Sequence, residues 1–444
     1  TDPADTPGPV VPLRVCGQWF NRHDTWAEEA RAWTDYLARS SYLLQQGRFK
    51  ADILYYYGED NCVTGLFGKQ LPDIPSGYAY DFVNPYALQR AVFPIDGHLV
   101  TESGMSYKML VLGPNCKTMS YALLDRILYL AKAGIPVCGT LPERCAALTD
   151  HQEAFDLLLQ QLKSLFLDMP LEAALKAKGI EPECIIPKDW AYVHRETARE
   201  DIWWIRNFSG APASSVILVR GGEGQPRVLD PVTGKAHRIN ASTSQDGYRF
   251  FKLDLEANDA LFVVIGKAPE TAVPVGHVRK VPVLTVDGSW KLSFESGLGA
   301  PATAVFDHLM SYTESKDPSI RYYSGTVVYR NSFSLKKKQL KDVKAWEIDL
   351  GSVKNLARVK VNGFDLGVVW KAPFRVEVPV EYLHEGRNEL EVKVINLWPN
   401  RIIGDLQPDA VRKWTYTASN WYTADSPLLP SGLLGPVSVS SLHE

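Results

Sequence analysis

The stretch from Leu356 to Asp405, LARVKVNGFDLGVVWKAPFRVEVPVEYLHEGRNELEVKVINLWPNRIIGD, restricts the fold more than any other part of the chain. Ala357 to Val361 alternates apolar and polar side chains, the period of a half-buried strand. Asn362-Gly363 then offers the two left-handed residues of a tight hairpin, and Leu366 to Trp370 returns. Pro373 to Val378 sets Phe374, Val376 and Val378 on one face, and Glu385 to Asn388 turns the chain into a fourth run, Glu389 to Asn396. Strands this short, with a turn about every ten residues, predict a β-sandwich of jelly-roll type.

Upstream runs extend it. Trp290 to Phe294, Ala302 to Phe306, Tyr322 to Phe333 and Ala345 to Leu350 join it, and Ser431 to Pro436 reads as the turn before a closing strand, giving a domain over 281–444. A smaller sandwich is expected over 189–280, from alternating runs at Ala191 to Thr197, Asp201 to Phe208, Ser214 to Arg220, Gln225 to Leu229, Tyr248 to Leu255 and Leu261 to Gly266. Residues 51–188 differ. Apolar strands (Ala51 to Tyr57, Lys108 to Leu112, Ile135 to Cys138) alternate with helical periods (Tyr121 to Ala133, His151 to Phe166, Leu171 to Lys178), as in a parallel sheet covered on both faces. A flavodoxin- or amidotransferase-like α/β domain is expected there.

Residues 1–50 cannot bury themselves. Thr1 to Pro12 is Pro-rich loop, Leu13 to Gly17 a short strand and Gln18 to Asp24 a loop. Thr25-Trp-Ala-Glu28 then reads as a capping box opening a helix that Gly47 ends. One strand and one long helix predict the last βα unit of a larger α/β domain whose other strands lie outside the chain.

The bulk numbers exclude several classes. With 45% apolar and 22% charged residues the chain is of ordinary globular composition. A net charge of −3 argues against nucleic acid as partner, and no apolar run reaches membrane-spanning length. The six cysteines, at 16, 62, 116, 138, 145 and 184, show no metal-type spacing and are expected to be free thiols. No signal peptide is visible and the chain opens on Thr1, so a processed chain, periplasmic or secreted, is expected.

The pattern VNG…LG…W…PF…V…L..G.NELEV.V.N resembles the sugar-binding-type jelly roll of family 2 glycosidases. The tail NLWPNRIIGD narrows the resemblance to glycoside hydrolase family 106, the α-L-rhamnosidases. The segment GQWFNRHDTWAEEARAWTDYLARSSYLLQQGRFKADILYYYGED is similar to the one with which that family leaves its catalytic (β/α)8 barrel. The resemblance implies an inverting two-carboxylate hydrolase of terminal α-L-rhamnosyl linkages in plant polysaccharides or glycosides. It also implies a calcium ion near the sugar hydroxyls and a rhamnose-containing glycan as partner. Residues 1–50 become the C-terminal remnant of the barrel, and the rest of the chain docks on the barrel's absent part. Glu28 and Glu29 lie on a helix rather than at a strand end, so the catalytic glutamates are expected outside this chain.

Barrel chemistry sits at the C-terminal ends of the strands. Trp19, Asn21, Arg22, His23 and Asp24, which follow the 13–17 strand, are therefore candidates for the edge of the sugar pocket. Glu59 and Asp60, which end the 51–57 strand, are further candidates. The plainer alternative is capping by Asp24, packing of Trp19 and Trp26, and a solvated turn at 59–60. Two other functions compete. One is a non-catalytic carbohydrate-binding or scaffold protein, with Trp370, Trp398, Trp414 and Trp421 stacking on sugars. The other is a thiol hydrolase or amidotransferase on the α/β domain, where Cys116 and Cys138 follow strand ends and His98 or His151 would be the base.

Overall fold

The computed structural model describes residues 8–10, 20–59, 71–146, 152–243, 246–266, 273–274, 279–417 and 420–443. The strand expected at Leu13 to Gly17 lies outside them. The chain divides into two compact units, Thr1–Ala38 with Val275–Glu444, and Arg39–Pro274.

In the first unit the hairpin at Asn362-Gly363 forms. Both residues take positive φ, 50° and 86°, between strands Leu356–Val361 and Phe364–Val369. Ala357, Val359 and Val361 are buried and their neighbours point outward, so the period-2 pattern becomes a core face and a solvent face. These strands end a six-stranded antiparallel sheet. Its spatial order is Thr303–Phe306, Trp290–Phe294, Thr326–Leu335, Gly386–Ile395, Leu356–Val361, Phe364–Val369. A four-stranded sheet runs Arg279–Thr285, Ser438–His443, Ala345–Asp349, Arg375–Pro379. Both sheets feed one core, in which Trp290, Tyr312, Tyr329 and Trp346 meet Val327, Val378, Val392 and Val439.

Two boundaries move. The strand expected from Tyr322 starts at Thr326, because Asp317 accepts the Ser319 amide at 2.9 Å and caps a helical turn, Pro318–Arg321. Gly432–Gly435 is a strand paired with Ser352–Lys354 rather than a turn. A Cβ on Gly432, which has φ +102, would stand 2.6 Å from the Tyr329 hydroxyl, so glycine lets this strand lie on the core tyrosines.

The second unit carries a parallel sheet in the order Val137–Gly139, Met109–Leu112, Ile53–Tyr56, Tyr80–Val83. Ile53–Tyr56 and Met109–Leu112 are buried along their whole length, which explains their continuous apolar sequence. Leu54, Tyr56, Leu110 and Leu112 share a core with helices Tyr121–Lys132 and Gln152–Lys163. Ile53, Tyr55, Met109 and Val111 share another with helix Leu171–Ala177. A three-stranded antiparallel sheet over Val92–Ile95, His98–Thr101 and Ser106–Tyr107 was not anticipated. The rest is β. A seven-stranded sheet containing Trp190–Glu196, Glu200–Asn207 and Ala260–Gly266 and a four-stranded sheet containing Ala213–Val219 and Arg249–Leu255 enclose Trp203, Ile205, Ile217, Phe251 and Val263.

Candidate functional site

Residues 20–30 fold into a closed turn. Asn21 Oδ1 accepts the His23 amide at 2.8 Å, Asp24 Oδ2 accepts the Asn21 amide at 3.2 Å, and the Asn21 carbonyl accepts the Asp24 amide at 3.2 Å. Such side-chain bonds replace the ladder a loop lacks. Trp398 Nε1 donates to the His23 carbonyl at 2.6 Å. The expected capping box does not form. Residues 27–29 make a 3-10 turn with no side-chain cap, the α-helix begins at Arg31, and the Thr25 hydroxyl is buried with no hydrogen-bond partner among the described residues. Glu29 explains the change. Its buried carboxylate accepts from Arg358 Nε and Nη2 at 3.0 and 2.6 Å and from Lys393 Nζ at 3.0 Å. An N-cap is worth about 1 kcal/mol, whereas each bond to a charged group is worth about 1.5–3 kcal/mol, so the geometry that serves Glu29 wins. Burial by itself would raise the Glu29 pKa; the bonds from Arg358 and Lys393 outweigh it and hold the carboxyl below its usual range.

Phe20, Asn21, Arg22, Asp24, Trp26 and Glu28 line an open groove of about 490 Å³. Phe20 is 62% exposed and meets Trp26 and Trp33 at ring centroid distances of 5.8 and 5.0 Å. An exposed ring and a half-buried one beside a guanidinium, an amide and two carboxylates can stack on a sugar and bind its hydroxyls. Three sequence candidates, Asn21, Arg22 and Asp24, meet here. His23 is buried, and its Nε2 has no hydrogen-bond partner among the described residues. Trp19 and Asp60 lie outside the described residues. Glu59 belongs to the other unit, where its carboxylate accepts the Ser120 amide at the start of helix Tyr121–Lys132. Phe20, Trp26 and Glu28 line the groove without having been site candidates; the Phe20, Trp26, Trp33 spacing was the available signal.

The NLWPNRIIGD tail is an internal brace. Arg401 Nε donates to Asp405 Oδ1 at 2.9 Å, while Asp405 Oδ2 accepts the Trp414 and Thr415 amides and the Thr415 hydroxyl at 2.9, 2.8 and 2.7 Å. Asn400 donates to the Leu429 carbonyl and to Ser431 Oγ at 2.7 Å each. Trp370 meets Tyr36 edge-on at 5.3 Å, and Trp421 is exposed.

The second unit holds a buried titratable cluster. His194, stacked on Trp203, lies between Glu183 Oε1 at 3.2 Å and Asp201 Oδ1 at 2.8 Å. Burial works against its charged form, but the bonds to Asp201 and Glu183 outweigh that and raise its pKa. Asp52, 3% exposed, pairs with Lys108 at 2.8 Å, and burial still raises its pKa. Burial pushes the Cys116 and Cys138 thiols up to about 12, so neither supplies a thiolate near neutrality. His98 bonds the Asp96 carbonyl, and His151 lies outside the described residues. Among the described residues no three His, Cys, Asp or Glu side chains converge as a metal site requires, so the calcium implied by the resemblance finds no fitting acidic set there. No helix among them is long and apolar enough to cross a membrane.

The groove lies in a unit built on a two-sheet sandwich. Residues 1–243 match the glycoside hydrolase family 106 pattern, described as alpha-L-rhamnosidase, and the chain belongs to that family. It is similar to the rhamnosidase from Novosphingobium sp. PP1Y, with a TM-score of 0.88 and 35% identity over 98% of this chain and 43% of that one. It is also similar to a Formosa agariphila protein named as a candidate beta-glucuronidase, 23% identical over 98% of this chain and 59% of that protein. The chain thus spans about half the length of these relatives.

Proposed function

We propose that this chain is part of an inverting α-L-rhamnosidase that hydrolyses terminal α-L-rhamnosyl linkages of plant polysaccharides or glycosides. In this reading it forms the rim of the sugar pocket, and two glutamates in sequence beyond these 444 residues act as acid and base. The likeness to the Novosphingobium rhamnosidase across 98% of the chain carries the proposal. The 20–30 groove supports it, since its rings, guanidinium and carboxylates suit a deoxysugar with one apolar and one polar face. Residues 20–44 then close a (β/α)8 barrel. The second unit's parallel strands, in chain-order numbering 2-1-3-4, have the flavodoxin-like order. The C-terminal sandwich is the sugar-binding-type jelly roll. The whole protein works in the periplasm or outside the cell.

The test is p-nitrophenyl-α-L-rhamnopyranoside hydrolysis by this chain and by the full-length gene product. Turnover by the full-length product and none by the chain is expected. Equal rates would overturn the placement of the acid and base.

A further inference from the structure

The outer face of the six-stranded sheet carries a second groove, of about 560 Å³, in which Lys291, Arg330, Lys360 and Arg387 face Glu389 and Glu391. Strand register builds it. Lys291 lies opposite Arg330, Arg330 opposite Glu391, and Glu391 opposite Lys360, so three cations and one glutamate form a row across four neighbouring strands, and Arg387, opposite Ser334, lies further along the Glu391 strand. Adjacent positions in such a row stand about 4.8 Å apart. Glu391 is shared between Arg330 at 2.9 Å and Lys360 at 3.8 Å. Lys291 and Arg387 are exposed, and neither has an ion-pair partner among the described residues. The groove therefore carries uncompensated positive charge.

The same face shows how it treats a carboxylate. Two residues further along the same strands, the cross-strand pair Arg358 and Lys393 clasps Glu29, at 2.6 and 3.0 Å. In the open row Glu391 takes that role for Arg330 and Lys360, which leaves Lys291 and Arg387 for an acid from outside the chain. Among the described residues no aromatic ring lines the groove, which removes the usual means of holding a neutral sugar, and Leu390 is the only large apolar residue of its lining. Planar carboxylates on a repeating scaffold match guanidinium and ammonium groups spaced along a strand row.

We propose that this groove is an ancillary site for a uronate-bearing oligosaccharide, distinct from the 20–30 groove and independent of hydrolysis. The test is isothermal titration of the chain with trigalacturonate, a neutral maltotriose control and a sulfated trisaccharide. Trigalacturonate is expected to bind and maltotriose not to, with affinity falling as salt rises because the pairs are solvent-facing. Lys291→Ala with Arg387→Ala should weaken binding about tenfold or more. The melting temperature should not move, since neither side chain has a partner to lose. Lys337→Ala, on a separate 3-10 turn, should change nothing. Equal binding of maltotriose, or unchanged affinity in the double variant, would overturn the site. Tighter binding of the sulfated sugar would overturn the uronate assignment.

Discussion

Asp405→Ala tests the brace inside the C-terminal sandwich. The Arg401 and Asp405 side chains are 7% and 4% exposed, so the substitution leaves a buried guanidinium without its counter-charge. It also strips the acceptor from the Trp414 and Thr415 amides. Breaking a buried pair from one side costs about 3–5 kcal/mol. In a unit of roughly 200 residues each kcal/mol moves the melting temperature by about 2–4 °C, so a drop of about 6–20 °C is expected. Adding Arg401→Met should recover only part of it, because the two amides stay unsatisfied at about 1–3 kcal/mol each. Asp405→Asn should fall between, since its amide oxygen still accepts one bond. Scanning calorimetry gives the melting temperatures of the parent, the Asp405→Ala and Asp405→Asn variants and the double variant. An Asp405→Ala protein melting within about 2 °C of the parent would refute the account, as would full recovery in the double variant.

Glu29→Gln should cost about 1–2 kcal/mol, discounted because Arg358 and Lys393 are about a third exposed, and it should flatten the acid limb of stability against pH. The sign follows from a lowered pKa: the contribution is present above 4.5 and lost as pH falls through the folded-state value. His194→Gln should flatten the other limb. The folded pKa is raised, so the contribution is complete below 6.5 and lost as pH climbs through the shifted value, which thermal melts across that range will read. Gly404→Ala should destabilise by about 1–3 kcal/mol in chemical denaturation, because the new Cβ would stand 2.5 Å from Tyr322 Cβ. In the full-length gene product, Arg22→Ala and Trp26→Ala should each raise KM about tenfold with kcat little changed, as loss of uniform binding requires.

Local signals were legible and long-range ones were not. Side-chain alternation at 356–361 and the Asn362-Gly363 turn lie within a few residues of each other, and both survive folding intact. The Thr25/Glu28 capping box was just as local and failed, because Glu29 bonds Arg358 and Lys393, 329 and 364 positions away. No spacing rule reaches that far. Tyr80–Val83 was hidden because its two faces pack differently and its flank is turn-rich. At the sites, Asn21, Arg22 and Asp24 could be found because they share one loop. The cations at 291, 330, 360 and 387 could not, because only the register of four strands assembles them.

The placement of the 20–30 groove follows from how little that segment buries. The helix that follows it, Arg31–Leu44, has no fully buried residue, and its apolar contacts, Tyr36 on Trp370 and Leu43 and Leu44 against Ile202, Phe262 and Val264, lie beyond the turn. The turn itself is anchored by polar groups: Trp398 donates to the His23 carbonyl, and Glu29 is held by Arg358 and Lys393. Hydrogen bonds and ion pairs are directional where apolar contact is not, so three of them set both the height and the rotation of the turn. Each reaches the segment from the C-terminal sandwich, and Trp398 opens the same short helix whose Arg401 and Asp405 brace the 414–415 loop. The sandwich therefore acts on the groove as a jig. A change buried in the brace, which touches no sugar, should shift the rings of Phe20 and Trp26 and register first as lost binding rather than lost chemistry.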